Sequence, residues 1–397
     1  MSPFELALPG RVHFGRGRLR EIGEIARELG KRALVVTGGS KRHAAQSLES
    51  LAAAGLRSEV FAVTGEPTTT AVERGVDAAR GPGVDVVIGI GGGSAIDAAK
   101  AIAALVTNPG ALLDYLEVIG LGKPLERAPL PFIAVPTTAG TGAEATRNAV
   151  LASVAHRVKV SLRSPLMLPR VAIVDPELTD GLPPEITAST GLDALTQLIE
   201  ALVSSRANPL TESLCRDGIA RVAEALPLAF DRASVDPRLP GPIDPRHGAA
   251  RDAMALASLW SGIALANAGL GAVHGLAGPL GGMFDAAHGA ICAALLPEVM
   301  QTNIQALRRR APADRALDRY TEIARLLTGS GDATAERGVE AIRRLCAGLG
   351  VAPLGRVGVT LDQVPALVAG ARRASSMKTN PIALTDEELA GVLERSS

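Results

Sequence analysis

A β-branched run, Val84-Asp85-Val86-Val87-Ile88-Gly89-Ile90, leads straight into Gly91-Gly92-Gly93-Ser94 and on into an Ala-rich stretch that includes Lys100. The run suits a buried parallel strand, and the Ala-rich stretch suits a helix. Between them, three residues without a Cβ let the backbone approach a ligand closely. The first amides of the helix are unpaired and carry the positive end of its dipole, which makes a site for a phosphate or pyrophosphate. A tight turn that serves packing alone is the plainer reading, but it rarely uses Gly-Gly-Gly-Ser.

The segments around this turn alternate in the same manner. Arg32–Thr37, Glu59–Val63, Leu130–Val135 and Val171–Val174 read as strands. Gly17–Leu29, His43–Gly55 and Thr70–Arg80 read as helices. Such alternation implies a parallel, Rossmann-like sheet covered by helices on both faces, with ligands at the carboxyl ends of its strands. After Asp175 the periods become helical throughout. The expectation is an α/β dinucleotide-binding domain over 1–180 and an all-α metal and substrate domain over 181–397. The Pro-rich stretch Ser234–His247 reads as a surface loop between helices.

Composition narrows the functional classes. A chain of 397 residues exceeds one ordinary core. Its 41 basic and 41 acidic side chains leave no basic field for nucleic acid or an acidic membrane, and 2% aromatics leave little for stacking bases. Cys215, Cys292 and Cys346 are scattered without paired spacing. This argues against a zinc knuckle and for a reducing, cytoplasmic setting, and no signal peptide is visible at the start. Ala253–Phe284 has no charged residue, yet its glycines, Asn267, His274 and Pro279 break it up. It reads as a buried, ligand-lining segment rather than a membrane span.

A second loop, Pro136-Thr137-Thr138-Ala139-Gly140-Thr141-Gly142, also follows a strand and offers hydroxyls and bare amides, with Thr141 and Glu144 in capping-box spacing as the plainer reading. Two such loops in one sheet suit a dinucleotide. After the early strand comes Gly38-Gly39-Ser40-Lys41-Arg42, with no acid to hold a ribose 2′-hydroxyl. Small residues, a hydroxyl and two cations lean toward NADP over NAD. In the helical half, Asp193 and Gln197 share a helix face, and His274 and His288 bracket the end of the uncharged segment. Either histidine alone suits a core position. Both near an inward Asp suit a divalent cation with mixed nitrogen and oxygen donors.

These motifs, in this order, resemble the iron-containing (group III) alcohol dehydrogenases. The likeness runs from Arg11-Val12-His13-Phe14-Gly15 through Gly91–Ser94 with Asp97 and Lys100, Pro136–Gly142, Gly191-Leu192-Asp193-Ala194-Leu195 and Asn267–Gly271 to His274 and His288-Gly289. The resemblance implies a dehydroquinate-synthase-like fold with the active site in the cleft between its domains. It implies that Gly92, Gly93 and Ser94 hold the pyrophosphate, that Thr137, Thr138 and Thr141 lie along the cofactor, and that Lys159 contacts it. It further implies a metal, iron or zinc, on Asp193, His274 and His288 plus the residue at 197, and a homodimer or larger assembly. Two departures stand out. Gln197 replaces a histidine usual in similar proteins, and Gly278 replaces a second histidine often found four residues after the first.

The expected activity is interconversion of an alcohol and an aldehyde or ketone with NAD(P)(H), assisted by a divalent metal. The alternative is a metal-independent reductase resembling the maleylacetate reductases. A sugar-phosphate cyclase would need a Lys and Arg cluster that Ala253–Phe284 lacks. A nucleotide sensor would leave Asp193, His274 and His288 without purpose.

Overall fold

The computed structural model describes residues 3–39, 43–156, 158–231 and 245–397. It contains two compact units, Ala7–Asp180 and Gly181–Ser397, the latter joined by the chain start up to Leu6.

The first unit is built on strand alternation. Its strands are β1 (Arg11–Phe14), β2 (Arg32–Gly38), β3 (Arg57–Val63), β4 (Val86–Gly91) and β5 (Phe132–Pro136). A hairpin, β6 (Asn148–Ser153) and β7 (Val158–Arg163), precedes β8 (Val171–Val174). Six of these form one parallel sheet in the order β1-β8-β5-β4-β2-β3. Because successive side chains point to opposite faces, the sheet feeds two cores. Ala33, Val35, Ile88, Ile133 and Ile173 pack on one side with Ile22, Ile25 and Leu51. Those last three belong to α1 (Ile22–Leu29) and α2 (Ala44–Ala53). Leu34, Val36, Val87, Phe132 and Ala134 pack on the other with Val72, Val76, Ile96 and Ile102. These helical residues belong to α3 (Thr69–Arg80) and α4 (Gly93–Thr107), and a single turn, α5 (Leu112–Tyr115), follows.

The chain leaves β2 toward β3 at one edge, then returns to place β4 on the other side of β2 and to continue away through β5 and β8. The topological switch therefore lies between β2 and β4, the position where open α/β sheets take ligands. Three elements depart from the sequence reading. β1 joins the sheet edge beside β8, the hairpin β6–β7 pairs antiparallel outside the main sheet, and the expected helix over 17–29 divides into a short 3-10 turn at Arg18–Glu21 followed by α1.

The second unit is helical. Its helices are α6 (Pro184–Val203), α7 (Pro209–Phe230), α8 (Pro245–Ala268), α9 (Ala272–Met283) and α10 (His288–Arg310), followed by α11 (Arg315–Thr328), α12 (Ala335–Gly348), α13 (Val364–Arg373) and α14 (Asp386–Ser396). Helix α6 packs against α7, α8 and α10, and α9 packs against α10 and α13. The expected loop Ser234–His247 is corrected at its end. Residues 232–244 lie outside the described part, whereas Pro245 already opens α8 and His247 is buried within it. The uncharged stretch 253–284 belongs to α8 and α9, which bend by 101° at the break between them, where Gly269 takes φ +73°. Among the described residues no single helix is long and apolar enough to cross a membrane.

Candidate nucleotide loops and metal centre

In the first unit the carboxyl ends of β2, β4 and β5 bring the glycine-rich and threonine-rich loops together. Gly91 ends β4 at φ +157°, and a Cβ there would meet Ala95 Cβ at 2.6 Å and Gly38 N at 3.3 Å. The two strand ends flanking the topological switch thus approach backbone to backbone. A Cβ on Gly93 would come within 2.9 Å of Thr141 Cγ2, and one on Gly92 within 3.4 Å of Thr138. The Thr137 amide donates to Gly91 O at 2.9 Å. Gly92 caps α4 without any side-chain cap, and no acid occupies the first turn, so the helix start with Ser94 presents its amides and positive dipole. The cradle is one that side chains would fill, which fits a pyrophosphate.

Gly38 and Gly39 continue from β2. Ser40, with the neighbouring Lys41 and Arg42, lies outside the described residues. Lys159 sits on β7, opposite Ala152, and pairs with Glu66 at 3.0 Å. It is not tied to the glycine loop by any contact among the described residues.

Two charges on α4, buried Lys100 and half-buried Asp97, hold the segment that follows the threonine loop. Lys100 is 1% exposed, and its ammonium donates to Ala143 O, Thr146 O, Thr146 Oγ1 and Asn148 O at 2.8–3.0 Å. Four oxygens around three protons satisfy the cation fully, so this lysine clamps the 143–148 segment rather than facing a ligand. Asp97 accepts the Val150 amide at 3.0 Å and holds the start of the hairpin. Burial pushes Lys100 down to about 8, Asp97 up to about 6 and Glu144 up to about 7. The capping box read at Thr141 and Glu144 does not form. The 3-10 turn Ala143–Ala145 follows Gly142 in the left-handed region, with no side-chain cap.

In the second unit, α6, α9 and α10 bring Asp193, His274 and His288 together, joined by a residue the sequence reading left aside. Cys292 lies one helical turn after His288 on α10, so both face the same way. Its Sγ is 3.6 Å from His288 Nε2 and 3.9 Å from His274 Nε2. Asp193 Oδ1 lies 3.4 Å from His274 Nε2 and 3.8 Å from His288 Nε2. The four donor atoms all fall within 4.8 Å of one another. Asp193 Oδ1 is buried and accepts no hydrogen bond. A carboxylate oxygen in that condition is costly unless a cation meets it, so the donor set fits a divalent metal.

The surroundings aim these groups inward. His274 Nδ1 meets Glu200 Oε2 at 2.6 Å, while Glu200 Oε1 accepts the Val273 amide at 2.7 Å. That contact sets the ring so that Nε2 faces the cluster, as a carboxylate behind a metal-bound histidine does. Glu200 is one turn beyond Gln197, so Asp193, Gln197 and Glu200 form one polar stripe on α6, a spacing that could have revealed it. Gln197, expected to add an oxygen to the set, makes two hydrogen bonds. Its Oε1 accepts from Ser261 Oγ at 2.9 Å, and its Nε2 donates to Asp193 Oδ2 at 3.2 Å. The amide thus faces the Asp193 carboxylate and the oxygen faces Ser261.

Gly289 has a clear packing reason. A Cβ there would fall 2.0 Å from Ser189 O, so only glycine lets the start of α10 lie against α6. A Cβ on Gly278 would meet open space, and no imidazole stands there.

The four groups stabilise one another's charges. Burial raises the Asp193 carboxyl, but His274 and His288 outweigh it and hold it below the usual carboxylate range. Burial opposes charge on His274, yet Cys292 and Glu200 hold it well above the ordinary imidazole value. Cys292, more than burial, sets His288, which rises to about 8. The Cys292 thiol is raised by burial and brought below its usual value by His288 and His274. His288 keeps 36% of its side chain exposed, against 7% for His274 and 3% for Asp193, so the cluster opens on the His288 side.

Comparison with known proteins gives a consistent picture. The model described as "Iron-containing alcohol dehydrogenase" matches residues 9–176, and that of "Fe-containing alcohol dehydrogenase family, C-terminal" matches 187–397. An NAD-dependent methanol dehydrogenase from Bacillus methanolicus is 33% identical, covering 98% of each chain. A lactaldehyde reductase from Escherichia coli (strain K12) is 35% identical, covering 95% of each. The crystal structure of a 1,3-propanediol oxidoreductase superposes with a TM-score of 0.89 at 33% identity over the whole of both chains.

Proposed function

The chain belongs to the iron-containing alcohol dehydrogenase family, and from that premise we propose that it interconverts an alcohol and an aldehyde or ketone with NAD(P)(H), aided by a divalent cation. The observation that carries the reading is the convergence of Asp193, His274 and His288 on a buried carboxylate oxygen without a hydrogen-bond partner. When bound, the cation supplies Lewis acidity toward a substrate oxygen and the nicotinamide supplies the hydride chemistry.

The chain's own residues bind, orient and exclude water. Glu200 fixes the His274 ring, Gln197 fixes the Asp193 carboxylate, and the exposed side of His288 leaves the approach for a small neutral substrate. Gly91, Gly92, Gly93 and Ser94 would take the pyrophosphate, with Thr137, Thr138 and Thr141 further along the dinucleotide. Gly38, Gly39 and Ser40 would take the adenosine ribose, and Lys159 remains a candidate contact. The missing acid after β2 favours NADP(H). We also assign a cytoplasmic location, in keeping with three unpaired cysteines, and a homodimer or larger assembly.

The test is direct. Saturating NADPH or NADH should raise the melting temperature, and His274→Ala should abolish turnover while leaving that shift in place. No shift with either nucleotide refutes the dinucleotide assignment, and unchanged turnover in His274→Ala refutes the metal role. The metal-independent alternative draws on one observation, the commitment of the Gln197 oxygen to Ser261. Full activity after exhaustive chelation would select it.

A further inference from the structure

Resting on that reading, we infer that Cys292 is a fourth protein donor to the metal, a thiolate in place of the imidazole missing at Gln197, and that it biases the site toward zinc over iron(II). The geometry carries the inference. A tetrahedral cation with bonds of ~2.0–2.2 Å to nitrogen or oxygen and ~2.3 Å to sulfur has N···O edges of ~3.4 Å and N···S edges of ~3.6 Å. The corresponding separations are 3.4 and 3.8 Å for the histidine nitrogens to Asp193 Oδ1, and 3.6 and 3.9 Å for those nitrogens to Cys292 Sγ. Four of the six edges thus stand within a few tenths of an ångström of a tetrahedron's, and all four donor atoms, from three helices, lie within 4.8 Å of one another.

Cys292 supplies the fourth donor that Gln197, turned away, does not. With its oxygen turned to Ser261 and its amide nitrogen toward Asp193, Gln197 presents an N–H and not an oxygen to the Asp193 carboxylate. A glutamine turned this way would reduce the set to three, and Cys292 restores four. The substitution also changes the metal. Thiolate is a softer donor than imidazole, and zinc already lies above iron(II) in affinity for such ligands. Binding forms the S–metal bond and releases the thiol proton to solvent. The other two cysteines offer a contrast. Cys215 and Cys346 are buried and unpaired, and burial alone raises Cys346 to about 12, whereas Cys292 lies between two histidines.

Cobalt(II) is the probe. Metal-free protein loaded with cobalt under argon should take one ion per chain and show a near-ultraviolet sulfur-to-cobalt charge-transfer band. The band should vanish in Cys292→Ser and persist in Cys346→Ser. Zinc affinity should fall in Cys292→Ser by more than the ~10–100-fold that loss of an outer-shell partner costs, while Gln197→Ala should stay within that range. Stoichiometric cobalt without the band overturns the inference and leaves the metal reading standing. If neither cobalt, zinc nor iron(II) binds the wild-type chain, the metal reading itself fails. Should Cys292→Ser not fold, X-ray absorption on the zinc-loaded wild type decides the matter. A sulfur scatterer at ~2.3 Å supports the thiolate, and a shell of nitrogen and oxygen alone refutes it.

Discussion

Replacing Glu200 by glutamine separates a residue that orients a metal ligand from one that only fills space. Glu200 is 4% exposed, and its two oxygens accept from His274 Nδ1 at 2.6 Å and from the Val273 amide at 2.7 Å. A glutamine has a single oxygen, and its amide hydrogens would face a donor. One of the two N–H groups is then buried without an acceptor, at ~1–3 kcal/mol. That cost is common to the metal-free and the metal-loaded protein, so it lowers stability but cancels from the dissociation constant.

What does not cancel is the imidazole. Without a carboxylate behind Nδ1, the ring no longer keeps its proton there, and Nε2 loses part of its claim to a free lone pair. Zinc affinity should fall by ~10–100-fold, or ~1.4–2.7 kcal/mol. A competition titration against a chromophoric chelator measures the affinity, and urea unfolding of the metal-free protein measures the stability. A variant that loses stability yet binds zinc within about twofold of the wild type would refute the orienting role, since the factor expected is ~10 or more.

Gly289→Ala should push α10 away from Ser189 O, 2.0 Å from the added Cβ, and cost ~1–3 kcal/mol in urea unfolding together with a drop in metal stoichiometry; unchanged stability would show that the helices yield freely. Glu144, raised by burial from 4.5 to about 7, binds its proton more tightly in the folded chain. Its contribution to stability is therefore full below pH ~4.5 and is lost as pH rises through ~7, by on the order of 3 kcal/mol at most. Glu144→Gln should remove that slope, and parallel stability–pH curves for the two proteins would refute it. Gly39→Asp places a carboxylate after β2, where the added Cβ meets Thr64 Cγ2 at 3.3 Å, and should shift the kcat/KM ratio toward NADH; an unmoved ratio would count against the assignment of that strand end to the adenosine ribose.

Much of the α/β unit was legible because β2, β4, β5 and β8 are buried on both faces and read as unbroken apolar runs, and β3 keeps its apolar residues at the end that enters the core. Val171–Val174 was bounded correctly, and β2, β3, β4 and β5 were found within two residues at each end. The hairpin β6–β7 and the edge strand β1 were not, for the opposite reason. Along β6 buried and half-buried residues alternate, and β1 carries Arg11 and His13 with only partial burial. Such short, half-polar strands gain their structure from a neighbour and not from their own pattern. The site divides along the same line. Asp193, His274 and His288 could be singled out as polar residues on apolar helices. Cys292 could not, because its meaning depends on knowing that α10 begins at His288, which sets the two one turn apart.

Gln197 shows how far a single position can mislead when read alone. As a polar residue one turn from Asp193 it has the spacing of a ligand, and an amide oxygen is chemically able to serve. What decides its role is Ser261, 64 residues away on α8, which takes the oxygen and leaves the amide hydrogens facing the carboxylate. An oxygen donor and a hydrogen-bond donor to the neighbouring ligand are opposite roles for the same side chain, and only the tertiary partner selects between them. With the Gln197 oxygen turned to Ser261, a thiol one turn along α10 from His288 stands 3.6 Å from that histidine's nitrogen and is able to complete the set. If the inferred thiolate ligation holds, the ligand count is kept while the softness of the set changes, and the departure at 197 then bears on which metal is bound more than on whether one is bound.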